Sequence, residues 1–79
     1  MDIRSYLLES DFKITMTNKN IDVINYERIE NVNSNNIVLK YKQGYLDIKG
    51  NDLVIKKLLN DEILIIGSIN SVEFRWSNV

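Results

Sequence analysis

Three sets of side chains could do chemistry in this sequence. The carboxylates Glu9 with Asp11 and Asp61 with Glu62 are close neighbours, but general acid or base work needs a carboxylate whose pKa is moved by burial or a nearby charge. Both pairs fall in segments that read as turns, where solvent keeps them ordinary. Asp47 and Asp52 could flank a cation, yet neither their spacing nor the ligand count fits a calcium loop. Ser5, Ser10, Ser34, Ser68, Ser71 and Ser77 have no histidine to activate them. Histidine and cysteine are both absent, which removes the imidazole base, the thiolate nucleophile, the Cys/His zinc site and the disulfide framework together. The residues predict no enzyme and no cofactor.

The third set is electrostatic. Lys40, Lys42, Lys49, Lys56 and Lys57 face only Asp47 and Asp52 over residues 40–57, five positive against two negative charges, whereas 1–39 carries four basic and six acidic residues and 58–79 one and three. With Tyr41 and Tyr45 interleaved, these lysines are candidate contacts for an anionic partner, as on a nucleic-acid-binding β-barrel. Against that, the chain has a net charge of −1, Tyr41 shares the apolar parity of its strand, and lysines commonly guard exposed β-surfaces. The same lysines could serve an acidic protein or an anionic membrane surface. Near the C-terminus, Arg75 and Trp76 are candidate interface anchors.

The elements that must position these residues are β-strands. Alanine and proline are absent, while twelve Ile, six Val and two Thr are β-branched and eleven Asn supply turns. Phe12, Ile14 and Met16 alternate with polar residues, and the same period of two recurs in Ile21–Tyr26, Arg28–Val32, 37–42, 45–49, 53–58 and 63–76. Turns fall at 18–20, 33–36, 43–44, 50–52 and 59–62. A shift of apolar parity between Ile69 and Val72 predicts a bulge or bend at 68–71. The chain therefore predicts an all-β fold, a small antiparallel meander forming a barrel, roll or sandwich over residues 12–79. Residues 1–11, with Ile3, Tyr6, Leu7 and Leu8, read as a short N-terminal helix or arm. Ile14, Leu39, Leu46, Ile48, Ile55, Ile65 and Phe74 are the expected core, and Gly50 is expected at positive φ. The spacing Leu46-x-Ile48-x-Gly50-x-x-Leu53-x-Ile55 echoes Ile65-x-Gly67-x-Ile69-x-x-Val72-x-Phe74, which reads as two similar hairpin bends rather than a repeat. Seventy-nine residues make one marginal core, so a homo-oligomer is expected through a strand edge or the C-terminal segment. No run reaches the ~20 apolar residues of a spanning helix, and the first residues lack the apolar core of an export signal.

From Gly44 the sequence resembles the YabP/YqfC family of sporulation proteins. The resemblance lies in Gly44-Tyr45-Leu46-Asp47-Ile48-Lys49-Gly50-Asn51-Asp52-Leu53-Val54-Ile55 and in Glu62-Ile63-Leu64-Ile65-Ile66-Gly67-Ser68-Ile69-Asn70-Ser71-Val72-Glu73-Phe74. The upstream Ile24-Asn25-Tyr26-Glu27-Arg28-Ile29 looks most like the YqfC branch. The resemblance implies a cytoplasmic protein of the mother cell of a sporulating bacterium, peripheral at the forespore surface, acting as a scaffold or adaptor in assembly of the spore envelope, cortex or coat. It implies a protein partner, one that could be membrane-associated, and no catalytic residues. Nucleic acid is the competing partner, through the lysine-rich hairpin.

Overall fold

The computed structural model describes residues 12–76; the N-terminal helix or arm expected over 1–11 lies outside them. The chain runs β1 (Lys13–Met16), β2 (Asn20–Ile24), β3 (Arg28–Val32), β4 (Asn36–Tyr41), β5 (Gly44–Leu58) and β6 (Glu62–Trp76). All pairings are antiparallel in one sheet of order β1-β2-β6-β5-β4-β3. The all-β reading holds, and the chain leaves the meander only between β2 and β3.

Two strands of fifteen residues replace the three stretches expected between 45 and 76: β5 joins 45–49 to 53–58, and β6 spans the last one. The predicted turn at 50–52 does not end a strand. Instead β5 and β6 bend together there, with pairing irregularities between Lys49 and Gly50 and between Asn51 and Val54. The same irregularity skips Asn70, since Lys49 pairs with Ser71 and Gly50 with Ile69, so the parity shift seen at 68–71 is a bulge. The bend divides the sheet into two layers. The first holds β3, β4, residues 44–50 and residues 69–76; the second holds β1, β2, residues 62–66 and residues 54–58. Between them Ile21, Val23, Ile37, Leu39, Leu46, Ile48, Ile63 and Ile65 are fully enclosed, with Tyr41 and Leu53 nearly so. Burying a large aliphatic side chain is worth ~1.5–3 kcal/mol, and the alternating pattern puts these residues on the inner faces.

The glycines allow the bend, though not as the sequence suggested. Gly50 does not have positive φ; Asp52 (φ 54°) and Gly67 (φ 139°) do. What Gly50 provides is close approach, because a Cβ there would lie 2.1 Å from the Ser68 carbonyl oxygen. The correction has a physical cause: the polarity pattern marked a special backbone position, but only the packing of β6 across it determines which kind.

The weak echo is a real repeat in a different register. Aligning Gly50 on Gly67 places Leu46 on Ile63 and Ile48 on Ile65, all fully buried. Their neighbours correspond as well, since Leu46 pairs with Leu39 and Ile63 with Val23, while Ile48 pairs with Ile37 and Ile65 with Ile21. The turns match bond for bond. Thr17 N donates to Asn20 O at 2.9 Å and Asn33 N to Asn36 O at 2.9 Å, and the Thr17 hydroxyl and the Asn33 amide oxygen each accept from the amides two and three residues on. Each turn then docks on a bend: Gly67 N to Lys19 O (3.0 Å) and Ile69 N to Asn18 O (3.1 Å), against Gly50 N to Asn35 O (3.0 Å) and Leu53 N to Ser34 O (2.8 Å). Two three-stranded units are therefore related by a pseudo-two-fold axis through the Asn51–Ser68 pair.

Candidate protein-binding surface

The inner faces are not covered out to their ends. In the first layer the rows run Ile37–Ile48–Val72, then Leu39–Leu46–Phe74, then Tyr41–Gly44–Trp76. Tyr41 and Leu46 are core, but Phe74 is 43% exposed and Trp76 65%. The expectation that Phe74 is buried is thus corrected: its parity is right, but it stands on the C-terminal half of β6, which is the edge strand of that layer. Phe12, just before β1, reaches across from the second layer and stacks on Tyr41 with ring centroids 4.1 Å apart. Phe74 and Trp76 stack on each other at 5.9 Å, and Tyr41 meets both edge-on. Four aromatic rings thereby make one half-open cluster. The Tyr41 hydroxyl is buried there with no hydrogen-bond partner among the described residues, and burial raises its pKa.

On the opposite face of the same strands lies an enclosed charge. Asp47 is 2% exposed although its neighbours Leu46 and Ile48 take the core side. Its two oxygens accept from Asn36 Nδ2 and from Arg75 Nη2 (2.5 Å), so one carboxylate ties β4, β5 and β6 together. Glu73 is directly opposite Asp47 in the ladder, a like-charge pair that would be destabilising; Arg75, with Nε 3.9 Å from Glu73, compensates both. Arg75 is therefore held in place by the fold, whereas Trp76 beside it is free on its outer side.

The five lysines do not form one stripe. Lys40 and Lys49 lie on the outer face of the first layer, opposite Tyr45 and Asn36, and Lys42 is in the β4–β5 turn. Lys56 sits in a ladder irregularity and Lys57 beyond the bend, opposite Leu64. Lys40 is also engaged: its ammonium donates to the Tyr41 carbonyl (2.5 Å), stands 3.9 Å from Glu27 and lies over the Tyr45 ring.

Two further features depend on tertiary pairing. A cleft of about 760 Å³ is lined by Tyr26, Ile29, Leu58, Leu59 and Asp61, where the β2–β3 connection crosses the β5–β6 turn through Asn25 N to Asp61 O (2.6 Å) and Tyr26 OH to Leu59 O (3.3 Å). Burial first and the Asp61 charge second raise the Tyr26 pKa. Separately, the expectation that Glu62 is an ordinary solvated turn carboxylate is corrected: it opens β6 opposite Ile24, and its pKa is raised, by hydrogen bonding with Asp22 first, then burial and the charges of Asp22 and Asp61, with Lys57 opposing. Among the described residues no donor reaches the buried Asp22 Oδ1. The cleft carries no sequence signal and the Asp61–Glu62 pair gave no hint of Asp22, because both features depend on β2 pairing with β6. Among the described residues no group of three acidic side chains is placed to hold a metal ion.

The fold and this surface define a small β-roll with a half-open aromatic cluster. Residues 9–78 match the YabP family, and the chain belongs to that family. Membership indicates a sporulation-related protein. No curated protein matches the chain.

Proposed function

We propose that this protein is a non-enzymatic scaffold or adaptor in assembly of the spore envelope, working through protein contacts in the mother-cell cytoplasm, peripherally at the forespore surface, with a partner that could be membrane-associated. Within the family, the resemblance of residues 24–29 supports a reading nearest the YqfC branch. The observation that carries the reading is the aromatic cluster. Phe74 and Trp76 remain 43% and 65% exposed on the same face as the fully buried Ile37, Leu39, Leu46 and Ile48, and exposed aromatic side chains beside an arginine are typical anchors of protein interfaces.

The test is complementation of a sporulating host that lacks its own member of the family. The wild-type gene is expected to restore resistant spores, and Trp76→Ala, shown folded by circular dichroism, to fail. Full restoration by Trp76→Ala would overturn the reading. Salt-sensitive oligonucleotide binding lost in Lys40→Ala, Lys42→Ala and Lys49→Ala would favour the nucleic-acid alternative instead.

A further inference from the structure

The open edge of β6 has a register built into it. Lys42 and Gln43 make a two-residue turn flanked by the Tyr41–Gly44 pair, and in such hairpins the flanking residues exchange hydrogen bonds. The main chains of Gly44, Leu46 and Ile48 therefore point toward β4, and Gly50 follows suit by donating to Asn35 O. Those of Tyr45, Asp47 and Lys49 point toward their β6 partners Arg75, Glu73 and Ser71. What remains is the other edge: the amides and carbonyls of Val72, Phe74 and Trp76 point away from β5. Among the described residues no strand pairs with that edge, and the β1–β2 turn reaches only Gly67 and Ile69.

We infer that residues 72–76 pair antiparallel with the same residues of a second copy of this chain, about a two-fold axis at Phe74. The edge groups allow registers that differ by steps of two. Centred at Phe74, Glu73 of each copy stands opposite Arg75 of the other, twice across the axis, and Val72 stands opposite Trp76. One step either way places Glu73 on Glu73 or Arg75 on Arg75, which like-charge repulsion disfavours. The charged pairs fall at non-hydrogen-bonded positions, where facing side chains are closest. Phe74 and Trp76 of the two copies then form one continuous aromatic ladder on the inner face, and the closed two-fold leaves no free β6 edge to propagate. The inference deepens the proposed contact role and rests on the same surface. Its test uses purified protein, so it fails or succeeds separately from spore complementation.

Sedimentation of the full chain is expected to show a reversible dimer at tens of micromolar. Glu73→Arg leaves Phe74 and Trp76 in place and sets an arginine opposite Asp47 within the chain, so the fold is kept, while two arginine pairs now face each other between copies. The dimer should weaken roughly tenfold. The natural chain has no cysteine, so single cysteines report the register. Phe74→Cys should form a covalent dimer on mild oxidation, since Cα atoms of a hydrogen-bonded pair are ~5.5 Å apart, within disulfide reach. Glu73→Cys should not. A wild-type monomer at hundreds of micromolar, a dimer indifferent to Glu73→Arg, or cross-linking of Glu73→Cys as readily as Phe74→Cys would each overturn the inference.

Discussion

Replacing Gly50 by alanine tests whether the bend is held by close approach rather than by glycine's access to positive φ. Gly50 has no positive φ, so alanine meets no conformational strain of its own, and by narrowing the unfolded ensemble it would stabilise by ~0.4–1 kcal/mol if there were room. There is none. The new Cβ would lie 2.1 Å from the Ser68 carbonyl oxygen and 3.0 Å from Leu53 Cδ2, and the obstructing atom is main chain, so β5 and β6 must part by more than ~1 Å for ordinary contact. Overpacking of this kind costs ~1–3 kcal/mol. Separation also endangers Gly50 N to Asn35 O (3.0 Å) and Leu53 N to Ser34 O (2.8 Å), each worth ~1 kcal/mol. The expected loss is about 3 kcal/mol, against a total of ~4–12 kcal/mol for a domain of this size. In urea, with a slope of ~1 kcal/mol/M, the midpoint followed by circular dichroism should fall by roughly 3 M or the variant should be unfolded at the outset. A loss below ~1 kcal/mol would refute the steric account, and a gain would show that the two strands are not in contact at the bend.

Three further outcomes follow from the sites described. Asp47→Asn keeps the shape and an acceptor for Asn36 but removes the charge that holds Arg75; because Arg75 is 58% exposed at its side chain and solvent screens the pair, the expected loss is about 1–2 kcal/mol, read by urea unfolding at low salt and shrinking in high salt. Phe12→Ala removes the ring stacked on Tyr41 and should cost about 2 kcal/mol in the same assay, with altered Trp76 fluorescence because the cluster loosens; unchanged stability would contradict the packing. Glu62 has a raised pKa, so the folded state binds its proton more tightly than the unfolded chain. That contribution is fully present below the unfolded value of 4.5 and is lost as pH rises through the folded value. Glu62→Gln, which keeps a permanent donor toward Asp22, should therefore be more stable than wild type at neutral pH and indistinguishable from it below that range; a difference independent of pH would show that Glu62 is not protonated on Asp22.

The fold class was legible because it depends on local alternation. Isoleucine and valine at every second position, without alanine or proline, define strands and their inner faces, and this period correctly marked Leu39, Leu46, Ile48 and Ile65 as buried and the bulge at 68–71 as a change of parity. The family resemblance was legible for the same reason, since its glycines and apolar positions lie within one stretch of chain. The candidate surface was half legible. Arg75 and Trp76 stood out by type, but a period of two says which face a side chain takes and nothing about whether another layer covers it. Phe74 therefore shares the core parity and is still 43% exposed, while Asp47 has the outer parity and is enclosed by Asn36 and Arg75 from neighbouring strands. The remaining features came only from tertiary pairing. The Asp22–Glu62 contact, the cleft at Tyr26 and the docking of both Asn-rich turns all join residues more than a dozen positions apart. Their contact energies depend on which strands become neighbours, and the pseudo-two-fold axis that sets this is written in an alignment of Gly50 with Gly67 whose side-chain signal is two glycines and four aliphatic residues, too little to recognise before the hydrogen bonds of both turns are seen to match.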